Sequence, residues 1–116
     1  MKTMKKTALI VWLACISSGA FAHSRVDTTT PADGDVMSEV PAQISFDFAD
    51  DIRLTRVEMT HAEHPSVQLD LGDQKSFDRA FNLPLNDMGA GTYQIEWRGL
   101  SIDGHAMQGG FTFEVE

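Results

Sequence analysis

Thr92-Tyr93-Gln94-Ile95-Glu96-Trp97-Arg98-Gly99-Leu100 is the stretch on which the fold class turns. Tyr93, Ile95 and Trp97 fall on one side and Gln94, Glu96 and Arg98 on the other, the two-residue period of a strand with one face buried and one face wet. After Gly109-Gly110 the alternation returns in Phe111, Phe113 and Val115, so two strands are expected here with a turn between them. Working outward, Gln43 to Phe48 sets Ile44, Phe46 and Phe48 against Ser45 and Asp47. Leu54 to Met59, Ser66 to Leu71 and Ser76 to Leu83 are further candidates, the last with Phe77, Phe81 and Leu83 in phase. Val26 to Thr30 is expected to supply a first strand, and no stretch carries a helical period. Pro31, Asp33-Gly34, Pro41, Pro65, Pro84 and the glycines at 89 and 91 separate these runs. Short strands punctuated in this way predict an all-β protein, an antiparallel sandwich or barrel, rather than an α/β fold. No repeat, linker or low-complexity segment divides the chain, so one domain accounts for it.

The first 22 residues stand outside that pattern. Lys2, Lys5 and Lys6 precede an apolar run from Ala8 to Ile16, and Ala20-Phe21-Ala22 has the small-residue form of a cleavage site. This is the grammar of an export signal, and the apolar run is short for a bilayer span. Residues 1–22 are therefore expected to be removed, leaving residues 23–116 as an extracytoplasmic domain that begins at His23 and does not insert in a membrane. The one cysteine, Cys15, lies within the signal, so the domain has neither disulfide nor thiolate. Leu13-Ala14-Cys15 offers a competing lipoprotein site, but Trp12 fits that pattern poorly and the soluble cleavage is preferred. All seventeen acidic residues follow residue 22, whereas three of the nine basic ones precede it. So acidic a surface disfavours nucleic acid and anionic lipid, and mildly favours the approach of cations.

Cleavage at Ala22 gives His23 a particular chemistry. Its free amine and its imidazole Nδ1 can close on one metal ion as a six-membered chelate. Far along the chain, Ser101-Ile102-Asp103-Gly104-His105 lies between the two best strands. Asp-Gly is an ordinary turn signal, so Asp103 and Gly104 could simply reverse the chain. Residues two apart in extended chain also face one way, which lets Asp103 and His105 present a carboxylate and an imidazole together. With His23 they make a set of three nitrogens and one oxygen. Tetragonal nitrogen and oxygen ligation suits Cu(II), with zinc as the competitor, and one ion per chain is expected. The amine titrates ordinarily near about 8 and imidazole near about 6.5, so acid should release the metal.

Together these residues carry a resemblance. His23, Thr30-Pro31-Ala32-Asp33-Gly34, Pro41, the Phe46 to Phe48 strand, and then Tyr93 to Arg98, Ser101, Asp103-Gly104-His105, Gly109, Phe111, Phe113 and Val115 follow in order and spacing the pattern of the CopC family of periplasmic copper-binding proteins, most of all its short standalone members. The resemblance implies a Greek-key β-sandwich of immunoglobulin-like or cupredoxin-like form with about seven strands. It also implies Cu(II) held by His23, Asp103 and His105, and a role in copper homeostasis or resistance. An inner-membrane copper transporter or another periplasmic copper protein is the partner to expect, and a monomer the expected state. The chain departs from those relatives that bind Cu(I) through a methionine-rich loop, because Met37, Met59, Met88 and Met107 are dispersed.

The remaining candidates carry less. Met59, His61 and His64 are the one other grouping with ligand chemistry, but His61-x-x-His64 runs into Pro65 and reads as a strand end with an exposed loop. Met107 and Trp97 are expected to pack, and Asp47, Asp50 and Asp51 lack the glycine and spacing of a calcium loop. An N-terminal histidine chelate also serves copper monooxygenases that attack polysaccharides. Here an equatorial carboxylate would favour Cu(II) and oppose reduction, so binding is preferred to catalysis. A metal-free interaction module is the third alternative.

Overall fold

The computed structural model describes residues 26–72 and 76–116, leaving the signal segment, Cys15 and His23 outside the described residues. Seven strands follow in order: β1 Val26–Thr30, β2 Val36–Met37, β3 Gln43–His61, β4 Val67–Gln68, β5 Asp78–Pro84, β6 Gly91–Ser101 and β7 Ala106–Val115. There is no helix among the described residues, and the all-β sandwich is as expected.

The sandwich is built around β3, a strand of 19 residues that belongs to both layers. Its first part pairs with β1 on one side (Thr30 opposite Ser45, Val26 opposite Phe48) and with β5 on the other (Ile44 opposite Leu83, Phe46 opposite Phe81). Its second part pairs with β6 from Ile52 opposite Ser101 to His61 opposite Tyr93, with β4 along its other edge at Glu58 and Met59. Beyond β6 come β7 and then β2, whose two residues pair with β7 in parallel. Residues 48 to 51 make the corner between layers, where the ladder to β5 skips from Asp47 to Ile52.

Sequence periodicity predicts two strands, at 43–48 and 54–59, where the chain makes one bent strand. The second half changes phase because Leu54 faces Gly99 while Arg56 faces Arg98, leaving Thr55 as the extra residue of a β-bulge. Ile44, Phe46, Phe48, Ile52 and Leu54 are buried before the bulge, and Val57, Met59 and His61 after it. Three other expectations also need correction. The strand expected over 66–71 is reduced to Val67–Gln68. Phe77 is 40% exposed, because β5 begins one residue later at Asp78 and does not carry Phe77 inward. The last strand starts at Ala106 and runs straight through Gly109-Gly110. Those glycines are there for close approach. A β-carbon on Gly109 would come within 2.9 Å of the Trp97 indole, and one on Gly110 within 2.7 Å of the Ile95 carbonyl. Asp47 ends the first ladder to β5, Asp50 and Asp51 lie on the bend of β3, and Asp51 pairs with Arg79 at 3.2 Å.

The core joins the layers through aromatic rings. Phe46 and Phe48 stack at 5.7 Å on one sheet and meet Trp97 edge-on at 6.4 and 5.0 Å on the other. Phe111 packs on Phe46 at 5.8 Å, and Phe81 on Phe48 at 5.7 Å. Trp97 is core, as its phase with Tyr93 and Ile95 predicts. Tyr93 stacks on Phe113 at 5.0 Å while its hydroxyl donates to the Gly89 carbonyl and accepts from the Met88 amide, tying down the loop that leads into β6. Burial pushes its phenol above the ordinary value.

Candidate metal centre

The β6–β7 hairpin closes through Ile102, Asp103 and Gly104. The Gly104 amide donates to the Ser101 carbonyl at 2.9 Å and the Ser101 amide to the His105 carbonyl at 2.9 Å. This is a tight three-residue connection that needs a left-handed residue at its last position, which Gly104 supplies with φ of 87°. The glycine thus serves the turn, and extended-chain geometry is not what brings Asp103 and His105 together. Nothing lies within 4 Å of where a β-carbon on Gly104 would sit, so its replacement meets no steric obstacle beyond the backbone conformation. Gly104→Ala is expected to cost about 1–2 kcal/mol of stability from the left-handed strain alone. Urea denaturation of the metal-free protein checks this.

In that turn His105 Nδ1 lies 3.1 Å from Asp103 Oδ1, with the imidazole donating. Two atoms bound to one metal at about 2.0–2.2 Å and at a right angle stand about 3 Å apart, so the pair already has the separation of adjacent ligands. Both side chains are open to solvent. Ser101 completes the cluster: its hydroxyl donates to Asp103 Oδ1 at 2.5 Å and accepts from the His105 amide at 3.1 Å. The Ser101 bond first, and the His105 contact second, hold the Asp103 carboxyl below the ordinary carboxylate range. Sequence reading includes Ser101 in the closing tract without giving it a role. Its position two residues before the aspartate is the available signal.

Two of the three residues expected to hold metal are therefore brought together, and the third lies outside the described residues. The fold bears on it through β1. Val26 sits opposite Phe48 at the corner of β3, and Ile52, just past that corner, sits opposite Ser101. The start of β1 and the Asp103–His105 turn share one end of the sandwich. Among the described residues no three His, Cys, Asp or Glu side chains gather into a group that could hold a metal by themselves.

The Met59, His61 and His64 grouping has a packing role. Met59 is core, and His61, expected in an exposed loop, is buried. His61 Nε2–H donates to the Ala90 carbonyl at 2.8 Å, and its ring lies 4.6 Å from that of Tyr93. His64 stacks on it at 5.4 Å and donates from Nδ1 to the His61 carbonyl at 3.0 Å. Met107 is half-buried against the core, as expected. A surface hollow of about 670 Å³ on the outer face of β3, β6 and β7, lined by Arg56, Glu58, Glu96 and Arg98, shares no residue with the turn.

Fold and site define a β-sandwich that carries an open carboxylate–imidazole pair on the turn between its last two strands. The CopC domain matches residues 26–116, and the chain belongs to the CopC family. It is 27% identical to copper resistance protein C of Pseudomonas syringae pv. tomato, over 97% of this chain and 98% of that one. Identity to copper resistance protein C of Xanthomonas campestris pv. juglandis is also 27%, over 99% and 97%. The fold is similar to the crystal structure of CopC from Methylosinus trichosporium OB3b, with a TM-score of 0.68 at 21% identity over 81% of this chain and 94% of that one. It is also similar to that of PcoC, a copper resistance protein from Escherichia coli, with a TM-score of 0.57 at 24% identity over 82% and 100%.

Proposed function

We propose that this protein is a Cu(II) carrier of the periplasm, exported by removal of residues 1–22 and holding one Cu(II) through the amine and imidazole of His23, the Asp103 carboxylate and the His105 imidazole. The observation that carries the reading is the Asp103–His105 pair, preset at 3.1 Å on the end of the sandwich where β1 begins. The two relatives at 27% identity are both copper resistance proteins, which supports copper as the cargo. Three nitrogens and an anionic oxygen favour the oxidised ion, so the role is sequestration or delivery and not oxygen chemistry. Intact mass of the exported protein with Cu(II) titration by electron paramagnetic resonance tests this. A mass beginning at His23 and one nitrogen-rich tetragonal copper per chain are expected. An acylated Cys15, or no stoichiometric copper, would overturn it.

Copper is expected to leave in acid, and the nitrogens should set the midpoint. Metal-bound amine and imidazole must be deprotonated, so proton uptake there competes with the ion. Asp103, depressed by Ser101 and His105, stays ionised through that range. Its folded value lies below its unfolded one. Its contribution to the metal-free fold is therefore present above the ordinary carboxylate range and lost as pH falls through the lower folded value. Cu(II) absorption followed against pH should show release as the solution is acidified, at a pH below the nitrogen ligands' ordinary values by an amount that grows with the affinity; copper retained at every acid pH at which the protein stays folded would overturn nitrogen ligation.

A further inference from the structure

The hydroxyl of Ser101 is the one group in the turn that touches both halves of the pair: the carboxylate of Asp103 through a donated hydrogen bond and the backbone of His105 through an accepted one. Ser101 is half-buried at the end of β6, opposite Ile52, so the ladder to β3 and the two backbone bonds of the turn together fix its position. The bonds that converge on Asp103 from Ser101 and from His105 both end on Oδ1.

From this geometry we infer that Ser101 is a positioning residue of the copper site, holding Asp103 and His105 on one side of the turn before metal arrives. The inference rests on the Cu(II) reading above. Its physical basis is preorganisation. Without the hydroxyl, the Asp103 side chain and the turn sample other conformers, and the ion must bear the ordering that Ser101 now supplies.

The test compares wild type, Ser101→Ala and Ser101→Thr as exported, processed proteins. Cu(II) affinity is read by competition with a chelator, coordination by electron paramagnetic resonance, and the metal-free turn by hydrogen exchange of the His105 amide. Loss of one charge-assisted hydrogen bond predicts an affinity for Ser101→Ala about tenfold weaker. The same variant should give a broadened Cu(II) spectrum as the carboxylate becomes free to rotate, and faster His105 amide exchange. Ser101→Thr, which keeps the hydroxyl, should stay close to wild type in all three. Equal affinity for wild type and Ser101→Ala overturns the inference while leaving the copper reading intact. Equal loss in both variants also overturns it, because packing at the strand end, and not the hydroxyl, would then be responsible. A wild type that takes up no Cu(II) overturns both readings, and the His105 exchange rates would then report a tie that serves the turn alone.

Discussion

Replacing His23 by alanine in the exported chain is expected to weaken Cu(II) binding by more than a hundredfold. Loss of an outer partner of a metal ligand typically costs about 10–100-fold. His23→Ala removes a direct ligand and, with it, the ring that closes the chelate. Alanine keeps the amine, so the effect isolates the imidazole. Adding one residue ahead of His23 does the reverse, because it keeps the imidazole and moves the amine out of the chelate. Both changes should give comparable losses, with a fall in the nitrogen count seen by electron paramagnetic resonance. Metal-free stability of the two proteins, measured alongside, supplies the baseline. Metal-induced stability should fall. A ligand at a thousandfold excess over its Kd raises the stability of a native-only binder by about 4 kcal/mol, and His23→Ala should erase most of that gain at the same copper concentration. Undiminished affinity in both variants would place the copper elsewhere.

The second large effect concerns the fold. Trp97→Ala is expected to cost about 3–5 kcal/mol, the range for removing a buried large aromatic. Total stability of a small domain is only about 5–15 kcal/mol. The loss should therefore lower the thermal midpoint by tens of degrees or leave much of the protein unfolded at 37 °C. Trp97 is 2% exposed, meets Phe46 and Phe48 across the sandwich, and faces Gly109 on the neighbouring strand, where the missing side chain gives the indole room. None of those neighbours can move in to fill the space without breaking a ladder. Trp97→Phe should recover much of the stability, since an aromatic ring still reaches the facing phenylalanines. Calorimetry or urea denaturation of the metal-free protein gives the comparison. A small loss for Trp97→Ala would mean that the aromatic centre lies elsewhere.

Strands whose pattern is local were legible. Tyr93, Ile95 and Trp97, Phe111, Phe113 and Val115, and Ile44, Phe46 and Phe48 each alternate without interruption, and all are buried. What periodicity missed are the places where a partner strand decides. Thr55 bulges because Leu54 and Arg56 face consecutive residues of β6, and nothing near Thr55 in sequence announces it. Val36–Met37 becomes a strand only because the end of β7 lies beside it. His61 reads as a loop residue because His64 and Pro65 follow, yet the carbonyl of Ala90, far along the chain, is what accepts its proton and keeps it inside. At the site, Asp103 and His105 were legible from ligand chemistry at close spacing. The hydroxyl of Ser101 was not assigned a role, since its place two residues before the aspartate gains meaning only once its partners are seen in space.

By itself, then, the sequence determined the class of fold, the strands that carry the core, and the chemistry available at the Asp103–His105 turn, because alternation and donor type are properties of neighbouring residues. Only the tertiary structure decided how β3 is shared between two layers, which residue breaks its phase, and that the start of β1 lies at the same end of the sandwich as the last turn. Those depend on hydrogen-bond registers between segments far apart in the chain, and such registers are chosen by how the two faces pack and not by any single stretch.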